Sequence, residues 1–311
     1  MTEALDPQPT DKVLEIGTGS GFQAAVLSPL VKDVYSIEIV ELLGKKAAAL
    51  LKRLRYDNVH TKVGDGFLGW PEHAPFDKII VTCSPEAVPE PLKEQLKEGG
   101  LMIVPVGERY RQTLYSFRKK EGKLVAQKLL PTLFVPMTGK AEAVRAVKPD
   151  PLNPRIDNGS FEEEAFAGGG QPGWYYEKHI TWETDRKSPD GEHYVTFKNL
   201  EPSVSAHLLQ GFGVDGRKVK ELEISAYVKT ENAKAGPLTD EKPFIVVTLY
   251  DDQRRELSYE KIGPFLGDSD WRRVKERIIV KPNTREAIFR IGLFGATGSA
   301  SFDKVEMKKV D

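Results

Sequence analysis

A glycine-rich turn near the start of the chain has the residue types of a cofactor-binding site. The run from Val13 to Gly21 ends an apolar stretch in three alternating glycines, with an acid, Glu15, two residues ahead of the first of them. Glycine allows positive φ and close approach to the backbone, and a helix starting at Phe22 would direct its N-terminal amides and positive dipole end at a ligand. These residues predict a site for a nucleotide-like cofactor.

The spacing of the glycines indicates which cofactor. A dinucleotide fingerprint has the pattern GxGxxG, whereas the sixth position here is Phe22, so the chain matches GxGxG with a leading acid. The next predicted strand ends in Glu38, whose carboxylate could accept from both ribose hydroxyls and would repel a 2′-phosphate. The pattern therefore favours S-adenosylmethionine over NAD, the alternative being a tight turn that binds nothing.

Two later segments add candidate cofactor residues. Asp65, between two glycines after the third predicted strand, could accept from the exocyclic amine of adenine, or it could simply form an ordinary Asp-Gly turn. Thr82 ends the fourth strand, and ligands of open α/β sheets lie at the carboxyl ends of strands near the order reversal. We predict no metal ligand in this half, and the predicted cofactor-binding residues are Glu15, Gly17, Thr18, Gly19, Gly21, Glu38, Asp65, Gly66 and Thr82.

The two halves of the chain have different hydrophobic periods. Up to about residue 140, apolar strands alternate with amphipathic helices, which is typical of a parallel sheet covered on both faces. We predict strands at Lys12–Ile16, Asp33–Glu38, Val59–Val63, Asp77–Thr82 and Leu101–Val106, helices at Phe22–Ser28, Val40–Leu54 and Pro89–Leu96, and a closing β-hairpin at Thr113–Lys119 and Leu124–Val135.

The second half has no helical period. Residues 141–155 contain three prolines and are predicted to be a linker between a domain at 1–140 and one at 156–311. Beyond the linker, short alternating runs separated by Gly, Pro, Asn and Asp indicate an antiparallel β-sandwich. Seven strands are predicted: Glu192–Lys198, Ala206–Gly211, Leu222–Lys229, Phe244–Tyr250, Trp271–Val280, Ala287–Leu293 and Ser301–Met307.

The composition of the chain restricts its expected binding partners and its expected location in the cell. The chain has 45 Lys and Arg against 46 Asp and Glu, a net charge of −1, which leaves no electrostatic footprint for nucleic acid or for an anionic membrane. The single cysteine, Cys83, excludes an internal disulfide framework and fits a reducing compartment. Without a visible signal peptide or an 18-residue apolar run, we expect a cytoplasmic protein.

The motifs of the first half, in this order, closely resemble the protein-L-isoaspartate O-methyltransferase family. The resemblance implies a Rossmann-like S-adenosylmethionine-dependent methyltransferase fold and methyl transfer to the free α-carboxylate of L-isoaspartyl residues in damaged proteins or peptides. That carboxylate is ionised at neutral pH and needs no general base, so catalysis can rest on alignment and desolvation. The resemblance is carried by Val13–Leu27, Tyr35–Glu38, Arg55–Val59, Val63–Pro71, Pro75–Asp77, Ile79–Thr82, Ile103–Gly107 and Phe134–Gly139.

The same resemblance leaves the catalytic residue unassigned. In the family, a segment ahead of the position of Met1 carries a lid motif of Ile-Ser-Gln-Pro type, and the resemblance assigns catalysis to its serine. The sequence aligns from the end of the helix after that motif, so we expect a methyltransferase domain without its lid segment. The alternative function is a catalytically impaired cofactor-binding domain whose β-sandwich binds glycans or a protein partner.

The second half resembles a galactose-binding-like jelly roll of the carbohydrate-binding-module type, through Asp157–Glu162, Gly173–Tyr175 and Ser301–Val305. Its aromatic residues could form a platform for sugar rings or could fill the core of the sandwich. Glu162 and Asp303 could together hold a structural calcium ion if the first and last strands pair. The aromatic residues in question are Trp174, Tyr175, Tyr176 and Trp182.

Overall fold

The computed structural model describes residues 1–165, 170–185 and 188–310. The chain forms two compact units, Met1–Lys148 and Pro149–Asp311. The division between them falls inside the range 141–155, but the first eight residues of that range belong to the first unit. Each unit has its own core and is described separately.

The first unit is built on a seven-stranded mixed sheet. Strands β1 to β5 are parallel, β6 and β7 are antiparallel, and the order across the sheet is β3-β2-β1-β4-β5-β6-β7. The order reverses between β1 and β4, which is where ligands bind in open α/β sheets. The strands are β1 Lys12–Ile16, β2 Asp33–Glu38, β3 Val59–Val63, β4 Phe76–Val81, β5 Leu96–Glu108, β6 Arg111–Lys120 and β7 Lys123–Thr132.

Short helices cover the two faces of this sheet. On one face, Leu5, Leu27 and Leu51 from the first three helices pack against the strands. On the other face, Leu92 of the fourth helix packs with Met102 and other apolar strand residues. The helices are α1 Thr2–Leu5, α2 Phe22–Leu27, α3 Glu41–Arg53, α4 Glu90–Gln95 and α5 Lys140–Ala143. The predicted α/β alternation is therefore confirmed, and α5 lies in a segment predicted to be part of the linker.

The connection from β3 to β4 consists of 3₁₀ turns, at Gly66–Leu68 and Pro71–His73. The buried side chain of Gln95 fixes this connection: its Oε1 accepts from the Trp70 amide at 2.7 Å and its Nε2 donates to the Leu68 carbonyl at 2.8 Å. A long crossover without an α-helix is thereby tied to the sheet, which positions the residues that directly follow β3.

The second unit is a sandwich of two antiparallel sheets. Their strand orders are β10-β15-β12-β13 and β14-β11-β16-β9-β8. The core between them contains large aromatic side chains, Phe161, Trp174, Phe197, Phe289 and Phe302. The strands are β8 Ile180–Thr184, β9 His193–Asn199, β10 His207–Gly213, β11 Glu221–Lys234, β12 Phe244–Tyr250, β13 Glu256–Ile262, β14 Gly267–Ile279, β15 Glu286–Gly292 and β16 Thr297–Val310.

All seven predicted strands of this unit are present, and two further strands, β8 and β13, were missed. Each of the two lies at an edge of its sheet. Edge strands carry polar and charged residues that weaken the alternating pattern, as in the Glu256–Ile262 segment with two glutamates and a lysine. In the parts of the chain that the structure describes, no helix is long and apolar enough to cross a membrane.

Candidate functional site

The glycine turn lies at the carboxyl ends of β1 and β2, next to the order reversal. Gly17, Gly19 and Gly21 have φ values of +99°, +53° and +86°, in the left-handed region that side chains disfavour. The amides of Gly17 and Thr18 both donate to the Ile37 carbonyl, at 2.8 and 3.2 Å, which binds the turn to the end of β2. The predicted turn geometry is thus present where a ligand of this fold class would bind.

Glu38 closes β2 and fixes the turn from the side. Its Oε2 accepts from the Gly19 amide at 2.7 Å and its Oε1 accepts from the Val40 amide at 2.9 Å, and only 7% of the residue is exposed. A carboxylate oxygen has further acceptor capacity after one hydrogen bond, so ribose hydroxyls could still donate to Glu38. The side chain stands beside the turn with its orientation set by two backbone amides.

Glu15 lies beneath the turn. Its side chain is wholly buried, and its Oε2 accepts from the Ser36 hydroxyl at 2.5 Å, while Ser36 in turn lies 2.5 Å from the Thr18 hydroxyl. Its Oε1 has no hydrogen-bond partner in the described part of the chain. Burial raises the pKa of Glu15 to about 8, and the nearby negative charge of Glu38 acts in the same direction. The hydroxyls of Ser36 and Thr18 thus connect the Glu15 carboxyl to the glycine turn.

Asp65 and Gly66 follow β3 at the same edge of the sheet. Asp65 is half-buried, with Oδ1 accepting from the Phe67 amide at 2.9 Å and Oδ2 accepting from the Lys140 amide at 2.8 Å. A side chain at Gly66 would collide with β1, since its Cβ would lie 2.3 Å from Ile16 Cγ2. The hydrogen bond from the Phe67 amide to Asp65 is the one expected of an ordinary Asp-Gly turn. The hydrogen bond from the Lys140 amide goes beyond such a turn, because it connects Asp65 to a distant segment of the chain.

Thr82 connects the carboxyl ends of β4 and β1. Its hydroxyl donates to the carbonyls of Ile16 and Gly17, at 3.0 and 2.8 Å, and a Cβ on Gly17 would lie 2.6 Å from that hydroxyl oxygen. The neighbouring Cys83 is half-buried, and desolvation, together with the carboxylates of Glu38 and Asp65, raises the pKa of its thiol to about 12. The thiol therefore stays protonated and is a poor nucleophile.

The structure brings into the site a segment to which the sequence had assigned no role. After β7 the chain pairs with the loop that follows β4: the Ser84 amide donates to the Val135 carbonyl at 2.8 Å and the Met137 amide donates to the Ser84 carbonyl at 2.9 Å. It then reaches Asp65 through the Lys140 amide. This closing segment, residues 134–140, includes the Phe134–Gly139 motif that carries part of the family resemblance.

Arg145 lies five residues beyond the closing segment and binds the same Ser84 carbonyl that accepts from the Met137 amide. Its side chain is wholly buried and donates to the carbonyls of Ser84 and Gly107, both at 3.0 Å, and to the Glu142 carboxylate at 3.1 Å. Sequence reasoning missed it because a lone arginine in an Ala- and Val-rich stretch gives no signal of burial. Ser36 was missed for a similar reason, since only the pairing of β2 with β1 places it opposite Glu15.

Of the two interpretations of the aromatic residues in the second unit, filling of the core is confirmed for Trp174 and Tyr175. Trp174 and Tyr175 are 0% and 2% exposed, and the Trp174 Nε1 donates to the Asn158 carbonyl at 2.9 Å. The Phe161 ring packs between the Trp174 and Trp182 rings, with centroids 5.4 and 5.6 Å away. These side chains fill the sandwich, and among the four candidates Tyr176 is the exposed one.

The expected calcium site receives no support. Both Glu162 oxygens are engaged by His193 or by adjacent backbone amides, and the Asp303 oxygens accept from the amides of Asp190 and Lys304 at 2.8 and 2.6 Å. The Lys304 ammonium lies 3.2 Å from Asp190. Over residues 1–165, 170–185 and 188–310, no group of three or more His, Cys, Asp or Glu side chains could hold a metal ion.

The fold and site of the first unit define a class of protein. An order reversal in a mainly parallel sheet, a GxGxG turn on one side of it and an acid closing the neighbouring strand are the architecture of Rossmann-like S-adenosylmethionine-dependent methyltransferases. The polar groups present fit such a cofactor, because one buried Glu15 oxygen has no partner among the described residues, and because Glu38 and Asp65 keep acceptor capacity at the turn.

Comparison with known proteins narrows this class to one family. The family described as protein-L-isoaspartate(D-aspartate) O-methyltransferase matches residues 1–142. A protein-L-isoaspartate O-methyltransferase of Dictyoglomus turgidum is 51% identical over 140 residues, covering 45% of this chain and 64% of that protein. Protein-L-isoaspartate O-methyltransferase 2 of Polaromonas sp. is 46% identical over 142 residues, covering 45% of this chain and 67% of that protein. Through these residues the chain belongs to this family.

A solved structure named protein-L-isoaspartate O-methyltransferase is 36% identical, with a TM-score of 0.43, and the match covers 45% of this chain and 46% of that one. The chain spans 64% of the length of the Dictyoglomus turgidum relative. All of these matches involve the first unit.

Proposed function

We propose that the first unit transfers a methyl group from S-adenosylmethionine to the free α-carboxylate of L-isoaspartyl residues in damaged proteins or peptides. The observation that carries the proposal is the glycine turn at the order reversal, flanked by Glu38 and Asp65, in a stretch about half identical to proteins named for this reaction. We infer the isoaspartyl substrate from the reaction for which these relatives are named.

The residues that would hold the cofactor each have a defined task. The backbone of the turn at Gly17 and Gly19 gives close approach, Glu38 would accept from the ribose hydroxyls and Asp65 from the adenine amine. Thr82 keeps the carboxyl ends of β1 and β4 together beside the turn. When bound, S-adenosylmethionine supplies an electrophilic methyl group on a positively charged sulfur.

The substrate brings its own nucleophile. A carboxylate is ionised at neutral pH, so this chain needs no base to activate it, and Cys83 is too firmly protonated to compete. What the protein must supply is alignment and exclusion of water. The closing segment, held to the β3 and β4 ends by Asp65 and Ser84, builds one wall for that purpose.

For the second unit we propose a galactose-binding-like jelly roll, supported by two antiparallel sheets around one apolar core. A glycan held on a platform of Trp174 and Tyr175 is not part of this proposal, because both side chains belong to the core. The cytoplasmic location also stays a prediction, based on the lone cysteine and the sequence pattern.

The test is a methyl-transfer assay with the full chain. Purified protein, S-adenosylmethionine labelled in the methyl group and an L-isoaspartyl peptide should give a base-labile labelled methyl ester. The same peptide with a normal aspartate is the matched substrate control, and Glu38→Ala should reduce labelling by weakening cofactor binding. Cofactor binding without labelling of the isoaspartyl peptide would contradict the proposed reaction for this chain.

A further inference from the structure

A buried acid beneath the glycine turn combines three features that the proposed reaction does not use. Glu15 is wholly buried, its Oε1 has no partner in the described residues, and its Oε2 connects through the hydroxyls of Ser36 and Thr18 to the turn itself. Burial of a carboxyl with an unsatisfied oxygen is energetically costly. Such a cost is typical of a group whose environment changes when a ligand binds.

We propose that Glu15 senses the charge of the bound cofactor: it releases its proton when S-adenosylmethionine occupies the turn and retains it when S-adenosylhomocysteine does. The inference deepens the proposed function and rests on it, since it takes the glycine turn as the cofactor site. The two ligands differ by one methyl group and by one positive charge, because the product has a neutral thioether in place of the sulfonium.

The charges around Glu15 explain why a cation would change its protonation. Burial raises its pKa to about 8, and the carboxylate of Glu38, which acts on it from β2, disfavours a second negative charge. An opposite charge within about 4–6 Å lowers the pKa of a carboxyl by about one to three. A cation at the turn would therefore favour ionised Glu15, and the Ser36 hydroxyl is already placed to donate to it.

The proton balance closes over one reaction cycle. Binding of the cationic ligand converts Glu15 from COOH to COO⁻ and sends one proton to solvent. After the methyl group has moved to the substrate carboxylate, the positive charge is gone, and Glu15 takes one proton back from solvent. Glu15 is then again in the neutral form, so that each cycle starts and ends with the same protonation state.

Calorimetry in two buffers measures this proton directly. Each ligand is titrated into the full chain at pH 7.0 in phosphate and in Tris, and the difference in observed enthalpy gives the number of protons released. A carboxyl with a pKa of about 8 is roughly nine-tenths protonated at pH 7, so S-adenosylmethionine should release up to about 0.9 proton and S-adenosylhomocysteine close to none.

A pair of matched variants locates the proton. Glu15→Gln has no carboxyl proton to release, so it should abolish the difference in proton release between S-adenosylmethionine and S-adenosylhomocysteine. Glu41→Gln, the same change at an exposed position at the start of α3, should leave the difference intact. An unchanged proton release in Glu15→Gln would overturn the assignment to Glu15.

A second measurement needs no variant. The ratio of the affinities for S-adenosylmethionine and S-adenosylhomocysteine should rise with pH, by up to about eightfold per pH unit near pH 7, and should level off above pH 8. A flat ratio, or equal proton release by both ligands, would overturn the inference and leave the cofactor site standing. Binding of neither ligand at millimolar concentration would instead remove both the inference and the proposed function.

Discussion

Each unit of the chain contains a buried carboxyl whose pKa is raised, but the two are satisfied in different ways. Burial raises the pKa of Glu15 in the first unit to about 8 and that of Asp303 in the second to about 6. Both oxygens of Asp303 accept from backbone amides, whereas Glu15 accepts one hydroxyl and leaves an oxygen without a partner among the described residues. Asp303 holds loops together, while Glu15 stands where a ligand would change its surroundings.

The backbone of the two units shows the same contrast. The left-handed residues of the first-unit turn are glycines: a Cβ at Gly17 would meet the Thr82 hydroxyl at 2.6 Å, whereas one at Gly19 would point into open space among the described residues. In the second unit, Phe161 adopts a φ of +59° and its ring is wholly buried in the core. Left-handed backbone geometry thus occurs at the candidate cofactor turn in one unit and within the packed core in the other.

The largest expected effect concerns the packed core of the second unit. Trp174→Ala removes a fully buried ring that contacts Phe161 and Phe289, and should lower the free energy of unfolding of the second unit by about 3–5 kcal/mol. Urea unfolding followed by tryptophan fluorescence and circular dichroism measures it. Tyr176→Ala, at an exposed neighbour, should change stability by less than about 0.5 kcal/mol. Similar losses in both variants would argue against the core role of Trp174.

The next largest effect concerns the glycine turn of the first unit. Gly17→Ala combines a φ of +99° with a Cβ 2.6 Å from the Thr82 hydroxyl, so the turn must shift. We expect affinity for S-adenosylmethionine to fall by about 100-fold, or about 2.7 kcal/mol, as measured by calorimetry. Gly122→Ala, in the β6–β7 hairpin, is the control: it has a φ of +71°, and apart from its two chain neighbours no described residue has an atom within 4 Å of the new Cβ. Undiminished affinity in Gly17→Ala would mean that the cofactor does not use this turn.

A smaller effect sharpens the comparison of the two acids. The pKa of Asp303 is raised in the folded state by burial, and the carboxylates of Asp190 and Glu162 add to the rise, so the folded state binds more protons than the unfolded one. Its contribution to stability is complete below pH 4 and is lost as the pH rises through about 6. Between pH 4.5 and 7, the free energy of unfolding of the original chain, measured by urea titration, should decline relative to that of Asp303→Asn by about 1 kcal/mol. Parallel curves for the two proteins would contradict this.

The smallest expected effect is that of calcium. Because the oxygens of Glu162 and Asp303 are already engaged by amides and by His193, exchange of EDTA for calcium should shift the melting temperature by less than about 1 °C. Differential scanning calorimetry of the full chain measures it. Stabilisation by several degrees, lost in Glu162→Ala, would restore the calcium site.

The parts of this molecule that could be predicted are those encoded by neighbouring residues. Strands β1, β2 and β3 have the predicted bounds, because apolar runs ended by glycines or acids are local signals. The position of Glu15 beneath the turn was not predictable, since it depends on Ser36 across the β1–β2 pairing. Arg145 depends in the same way on Ser84, 61 residues away. Burial of polar groups is decided by such distant partners.

The closing segment has a consequence for how the site comes into existence during synthesis. Asp65 and the Lys140 amide that it binds are 75 residues apart, so this wall cannot form until nearly the whole first unit has left the ribosome. Contacts between distant residues pay their loop-closure entropy before they gain stability, and so tend to form late. The parallel strands and the glycine turn can assemble first, so the wall that completes the candidate cofactor site is the late event in the folding of this unit.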